Sequence, residues 1–174
     1  MALYEFDGKR PLVPADSFVH PTAALIGDIR LGHQCWVAPG VTIRAEFGPV
    51  EIGDCSNIQD NSIIHVNPDA SVTIAENVIV AHCVILHDVN IKTRCIIGMG
   101  SILMFNVVCE EDVIVAAGSV VPKNMIIPAG KIVSGYPAKI IGDVSEKQKL
   151  MAREGVDVYR DLCRKYLTTM KAVG

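Results

Sequence analysis

The stretch IAENVIVAHCVIL, residues 74–86, predicts the fold because a large aliphatic residue returns in it at every sixth position. A six-residue period fits neither an α-helix nor a plain alternating strand, and indicates short strands that each end in a corner. The period covers most of the chain, with a one-residue slip at Ile91. Its members are Val19, Leu25, Leu31, Val37, Ile43, Ile52, Ile58, Ile64, Ile74, Val80, Leu86, Ile91, Ile97, Leu103, Cys109, Val115, Val121, Ile127 and Val133.

Three such strands complete one coil of a triangular prism. Stacked coils bury the aliphatic residues inside and pair their backbones with the coils above and below, as in other solenoid repeats. The sequence therefore predicts an all-β solenoid built from parallel strands.

Composition agrees with one such core and excludes several classes of protein. The chain has 174 residues, of which 50% are hydrophobic and only 5% aromatic. No apolar stretch approaches the roughly 20 residues of a membrane helix, so no membrane partner is expected. The net charge of −3, with no Lys/Arg run, argues against nucleic acid as a partner. The first residues show neither the basic nor the apolar part of a signal peptide, and we expect a cytoplasmic protein.

Two segments interrupt the period and one ends it. Residues 44–50 and 66–71 are predicted to be loops at prism corners, where sites are often built. We expect a β-helix domain over residues 1–140 and a helical tail over 141–174. Ser145 to Gln148 fits a capping box. Apolar residues then recur at helical spacing from Leu150 and Met151 onwards, and Gly155 is predicted to divide the tail into two helices.

The period also assigns each histidine to a corner. Ile43, Ile64 and Leu86 share one side of the prism, so the residues that follow them should stack in a column. This first column is Arg44, His65 and His87, about 4.8 Å apart along the stack. Ile58 and Val80 share another side, which places Asp60 over His82 in a second column. His20 and His33 are interpreted as ordinary surface or core residues.

The two columns cannot meet within one prism, but they can meet between prisms packed around a threefold axis. We therefore expect a homotrimer in which His65 and His87 of one chain face His82 of the next. Three imidazoles with an open position suit Zn²⁺, or alternatively Fe²⁺ or Co²⁺, and such an ion can activate a bound water.

The segments 57–65, 81–87 and 96–100 resemble the gamma-class carbonic anhydrase family of hexapeptide-repeat proteins. The resemblance implies a left-handed parallel β-helix with a C-terminal α-helix, a trimer, and a metal ligand set of His65, His82 and His87. It also places the family's interface arginine, glutamine and acid on Arg44, Gln59 and Asp60. The candidate catalytic residues are accordingly Gln59, Glu46, Arg44 and Tyr159. Tyr159 is expected mainly to order the tail, with a place beside the active site as the alternative.

One motif departs from the family. Arg44-Ala45-Glu46 stands where Arg-Gly-Asp is usual, and the acidic loop residues that serve some members as proton shuttles have no match. We expect metal binding to survive these changes and rapid CO₂ hydration to lack a proton carrier.

Three functions remain open at this point. The first is a carbonic-anhydrase-like metal lyase acting on CO₂ and bicarbonate. The second is an acyl-CoA thioesterase or acyltransferase, because the N-terminal run, the short loop and the helical tail resemble the branch associated with phenylacetate degradation and carnitine metabolism. The third is a non-catalytic trimeric scaffold, which would need none of the histidine geometry.

Overall fold

The computed structural model describes residues 2–173 and forms a parallel β-solenoid of about seven turns with one C-terminal helix. This confirms the predicted fold class. The helix α1 spans Glu146–Thr169. The strands, in chain order, are β1 Ala2–Tyr4, β2 Phe18–Val19, β3 Ala24–Leu31, β4 Trp36–Val37, β5 Thr42–Ile52, β6 Asn57–Ile58, β7 Ile63–His65, β8 Val72–Ile74, β9 Ile79–Val80, β10 Ile85–His87, β11 Asn90–Ile91, β12 Ile96–Ile97, β13 Ile102–Leu103, β14 Val108–Cys109, β15 Ile114–Val115, β16 Val120–Val121, β17 Ile126–Ile127, β18 Lys131–Gly135 and β19 Ala138–Asp143.

The strands stack into the three faces of a prism. One face is an eight-stranded sheet in the order β19-β18-β15-β12-β9-β6-β4-β2. The other two faces merge into an 11-stranded sheet, because the long strands β3 and β5 continue across the corner between them. All pairings between turns of the solenoid are parallel, and the antiparallel hairpin β18–β19 closes the end of the stack.

The core follows the period in the sequence. Every one of the nineteen period-six positions is buried, including Ile91 at the slip. Corners recur with the same spacing, because a residue with positive φ turns the chain at positions 88, 94, 100, 106, 112, 118, 124 and 130. Most of these are Asp, Asn or Gly, the residue types that best tolerate the left-handed region.

The C-terminal tail is one helix, so the predicted division at Gly155 is wrong. The capping box at Ser145 and Gln148 is present as predicted. Gly155 lies where α1 crosses the eight-stranded face, and a Cβ there would stand 2.9 Å from Cδ1 of Ile79. The glycine therefore permits close packing of helix on sheet instead of ending the helix. Leu150 and Met151 are exposed, and the buried helix residues are Ala152, Val156 and Cys163.

The two predicted loops have different outcomes. Residues 66–71 form a loop between β7 and β8, as predicted. Residues 44–50, in contrast, stay inside β5, and that prediction is wrong. Gly27 and Ile29 of β3 pair with Ala45 and Val50, so four residues of β5 bulge opposite one residue of β3. The bulge packs closely against the 66–71 loop, since a Cβ added at Gly48 would lie only 2.2 Å from the carbonyl oxygen of Ala70.

No helix within residues 2–173 combines the length and the apolar character needed to cross a membrane.

Candidate metal centre

The first histidine column has the predicted register. Arg44 of β5 pairs with His65 of β7, which pairs with His87 of β10 on the next turn. The two imidazoles meet at their edges: Nδ1 of His65 lies 2.9 Å from Nε2 of His87, and the ring planes are inclined by 79°. The backbone ladder thus brings together two histidines that are 22 residues apart in the chain.

A carboxylate lies beyond the outer nitrogen of each imidazole. Oε2 of Glu46 is 3.6 Å from Nε2 of His65, and Oδ2 of Asp88 is 3.3 Å from Nδ1 of His87. Neither contact has the alignment of a hydrogen bond: the two outer nitrogens and Glu46 Oε2 are buried without a hydrogen-bond partner among the described residues. A carboxylate next to an imidazole nitrogen favours a proton on that nitrogen, and this effect is stronger at His87, whose carboxylate is nearer, than at His65.

Both carboxylates are fixed by further contacts. Oε1 of Glu46 accepts a hydrogen bond of 2.5 Å from the Arg44 guanidinium. Asp88 accepts hydrogen bonds from the backbone N–H and the side-chain amide of Asn67, at 2.7 and 2.8 Å. The site is therefore one connected row of polar groups from Arg44 through the histidine pair to Asn67.

The electrostatic surroundings favour the neutral form of the first imidazole. Burial lowers the pKa of His65 below its ordinary value, and the positive charge of Arg44 lowers it further. A neutral imidazole is the form that binds metal ions.

These residues fit a divalent metal ion. Zn–N bonds measure about 2.0–2.1 Å, so two nitrogen ligands at a tetrahedral angle on one ion stand about 3.3 Å apart, a few tenths of an ångström more than the inner nitrogens of His65 and His87 at 2.9 Å. Residues 2–173 contain no group of three or more His, Cys, Asp or Glu side chains able to hold a metal ion. Within residues 2–173 the pair thus offers two imidazole nitrogens and no third group of these types.

The second column lies apart from this pair. Nδ1 of His82 is 2.9 Å from Oδ2 of Asp60 on the previous turn, and the Cys83 N–H donates to the Asp60 carbonyl oxygen. The carboxylate fixes the ring and directs Nε2 to the opposite side. The His82 side chain is 42% exposed, compared with 16% for His65 and 23% for His87. Within one chain its free edge faces outwards.

The other two predicted catalytic residues, Gln59 and Tyr159, lie near the second column or below the surface. Gln59 is buried, and its side-chain amide donates to Oδ1 of Asn57 at 2.9 Å. Tyr159 of α1 packs on Trp36 with ring centroids 5.0 Å apart. Burial raises the pKa of Tyr159, and the negative charge of Asp60 adds to the effect. Tyr159 therefore joins the tail to the prism on the side of His82 and Asp60. His20 and His33 are paired locally with Thr22 and Asp16.

Two aromatic rings extend the histidine pair into a row of four. The Phe47 ring meets His65 edge to face at 6.1 Å, and Phe105 meets His87 at 4.7 Å. Both phenylalanines are partly exposed, at 56% and 38%. The open side of the histidine pair is thus bordered by apolar surface.

The sequence alone does not predict Asp88, Asn67 and Phe105 as residues of the site. Asp88 directly follows a predicted ligand, so its position in the sequence was a usable signal. Asn67 and Phe105 could be found only through the register that brings them from neighbouring turns.

The fold and the histidine pair define a hexapeptide-repeat protein with the left-handed parallel β-helix. No family model matches the chain. Carnitine operon protein CaiE of Salmonella agona is 33% identical over 174 residues, which cover 98% of this chain and 88% of CaiE. Gamma carbonic anhydrase 2, mitochondrial, of Arabidopsis thaliana is 33% identical over 162 residues, 90% of this chain. A solved hexapeptide transferase family protein from Anaplasma phagocytophilum has a TM-score of 0.91 and 31% identity, covering 95% of this chain and 98% of that one.

The chain therefore belongs to the family of hexapeptide-repeat proteins that includes CaiE, and it is similar to the gamma carbonic anhydrases. It spans 58% of the length of the plant carbonic anhydrase. The relatives whose names state an activity are enzymes, carbonic anhydrases on one side and transferases on the other.

Proposed function

We propose that the protein is a metal-dependent carbonic-anhydrase-like lyase that hydrates CO₂ at sites between the subunits of a homotrimer. The observation that carries the proposal is the 2.9 Å separation of the inner nitrogens of His65 and His87, combined with the outward-facing edge of His82 on another corner. His65 and His87 of one chain and His82 of its neighbour would hold the ion. When bound, a Zn²⁺ ion supplies Lewis acidity that lowers the pKa of a coordinated water towards about 7.

The chain's own residues would prepare this site for a small apolar substrate. With the ion bound, Glu46 and Asp88 would favour protons on the outer imidazole nitrogens, so that both inner lone pairs could face the ion. Arg44 balances the charge of Glu46. The rings of Phe47 and Phe105 border the histidine pair and would exclude bulk water from the CO₂ side.

Transfer of the released proton to bulk solvent would be the slow step of this enzyme. CO₂ hydration releases a proton that must reach bulk solvent. Of the two carboxylates beside the histidine pair, Glu46 is already held by Arg44 and Asp88 by Asn67. An acid committed to such contacts is a poor carrier, so a small buffer molecule should accelerate turnover.

The second candidate function is acyl-CoA thioester hydrolysis or acyl transfer at the same site. The half-exposed rings of Phe47 and Phe105 favour it, because they offer an apolar surface to an acyl chain beside the histidine pair. The similarity to a hexapeptide transferase family protein also supports it. Acyl transfer to an alcohol would pass the acceptor's proton to the departing thiolate and release no net proton, whereas thioester hydrolysis would release one proton per turnover, as CO₂ hydration does.

The two functions are separated on one Zn²⁺-loaded preparation. Stopped-flow CO₂ hydration is measured in increasing imidazole buffer, and thiol release is measured with a panel of acyl-CoA substrates. Hydration that rises steeply with imidazole and disappears in the His87→Ala variant supports the lyase. Thioester cleavage without hydration at any buffer concentration overturns it in favour of the second function. Inactivity in both assays at full metal occupancy leaves the scaffold as the function of the trimer.

A further inference from the structure

Asp88 combines a positive φ, which other corner residues share, with a position at the slip of the period, burial, and contact with a paired imidazole. It stands at the corner where the six-residue period slips by one, with φ of 54°. Its side chain is only 5% exposed although aspartate is charged at neutral pH. It also lies against His87, one of the two paired imidazoles. A buried carboxylate is costly unless hydrogen bonds compensate it.

The hydrogen bonds of Asp88 fix its orientation. Oδ1 accepts from the backbone N–H of Asn67 at 2.7 Å, and Oδ2 accepts from the Asn67 side-chain amide at 2.8 Å. Both donors come from the loop one turn away, so the carboxylate cannot rotate freely. Its Oδ2 is thereby held 3.3 Å from Nδ1 of His87.

This arrangement selects one tautomer of His87. Nδ1 is buried and has no hydrogen-bond partner within residues 2–173. With the proton on Nδ1, an N–H group lies 3.3 Å from a carboxylate oxygen, which is electrostatically attractive even without the alignment of a hydrogen bond. With the proton on Nε2, the Nδ1 lone pair faces the same negative charge, which is repulsive.

His65 is less strongly constrained than His87. Its neighbouring carboxylate, Glu46, is farther away at 3.6 Å and is already neutralised by Arg44. In the metal-free chain one inner nitrogen must carry the proton that joins the two imidazoles across 2.9 Å. That proton therefore belongs on Nδ1 of His65, which donates to Nε2 of His87.

We propose that Asp88 is a positioning residue that locks His87 as the Nδ1–H tautomer and keeps the Nε2 lone pair directed at the open edge of His65. The part of this proposal that concerns metal affinity rests on the proposed function. The tautomer itself does not, because it is a property of the metal-free protein.

The test uses the whole chain labelled with ¹⁵N-histidine, freed of metal by chelation and studied at an alkaline pH where imidazoles are neutral. Long-range ¹H–¹⁵N spectra distinguish the two tautomers, and the His87 signals are assigned by their loss in His87→Ala. We expect His87 in the Nδ1–H form in the unsubstituted protein. In Asp88→Asn and Asp88→Gly we expect a mixture with the Nε2–H form. Finding the Nε2–H form in the unsubstituted protein overturns the proposal.

The second readout is Zn²⁺ affinity by chelator competition. Loss of the partner carboxylate of a ligating histidine typically weakens metal binding about 10–100-fold. Asn preserves the size of Asp88 and tolerates positive φ, and Gly removes any backbone strain there, so at least one of the two variants should retain the fold. Asp112→Asn, at another positive-φ corner, is the matched control and should bind Zn²⁺ like the unsubstituted protein. Unchanged His87 tautomer in both folded Asp88 variants contradicts the proposal, whatever their affinity or catalytic activity.

Discussion

His65 and His87 stand opposite each other on adjacent turns of the prism, with Nδ1 of His65 2.9 Å from Nε2 of His87. The pairing follows from the parallel register, because residues aligned on successive turns point in the same direction. Their separation suits two ligands of one ion, while residues 2–173 offer no third histidine to the pair.

The ligand set can be tested by metal content. His65→Ala, His82→Ala and His87→Ala should each lose most of the bound metal, because each leaves two imidazoles, whereas His33→Ala should keep it. Elemental analysis of the purified proteins measures this. Full occupancy in any of the three variants would remove that histidine from the set.

A mixed trimer tests whether the ligands come from two chains. Trimers assembled from His82→Ala and His87→Ala chains should regain one intact site wherever a chain with His65 and His87 faces a chain with His82. Metal content should therefore recover on co-refolding, compared with either variant alone. No recovery in mixed trimers would place all ligands within one chain.

Glu46 provides a third prediction about the site. Glu46→Gln removes the charge that faces His65 and the ion pair with Arg44 while keeping the side chain's size. We expect Zn²⁺ affinity to fall about 10-fold, since the partner of a ligating imidazole is weakened. Chelator competition measures it, with the exposed Glu51→Gln as control. Equal affinity in the two variants would show that Glu46 does not support His65.

The sequence predicts the histidine columns well because a strict period decides which side of the prism each residue occupies. The same reasoning fails where two parts of the chain adjust to each other. The bulge in β5 depends on its pairing with Gly27 and Ile29 of β3, and no local signal distinguishes it from a loop. Asp88 was overlooked because its role depends on Asn67, which reaches it from the preceding turn.

The role of Gly155 in the tail likewise depends on a contact with a distant part of the chain, and this contact leads to a prediction about stability. Glycine in a helix is about 1 kcal/mol less favourable than alanine. In Gly155→Ala this gain is opposed by the contact of the new Cβ with Cδ1 of Ile79, 2.9 Å away. Ile79→Val removes Cδ1, so Gly155→Ala should stabilise the Ile79→Val protein by about 1 kcal/mol and the unsubstituted protein by less. Denaturant unfolding of the four proteins measures the coupling, and equal gains in both backgrounds would contradict it.

The last prediction concerns the dependence of stability on pH. Arg94 holds Asp112 on the next turn with two hydrogen bonds, Nε to Oδ1 at 2.7 Å and Nη2 to Oδ2 at 3.0 Å. The hydrogen bonds from Arg94 lower the pKa of Asp112 below its ordinary value. A carboxyl group whose pKa is lower in the folded state stabilises the protein above its unfolded pKa, and this contribution is lost as the pH falls through the folded value. Asp112→Asn should therefore cost about 1 kcal/mol near pH 7 and progressively less below about pH 4.

Asn also tolerates the positive φ at this corner, so the backbone should be undisturbed. Glu111→Gln, which removes a single contact of an exposed carboxylate, is the control and should change stability little. Urea unfolding of the three proteins between pH 3 and pH 8 decides the matter, and a cost for Asp112→Asn that stays constant with pH would show that the ion pair is not its source.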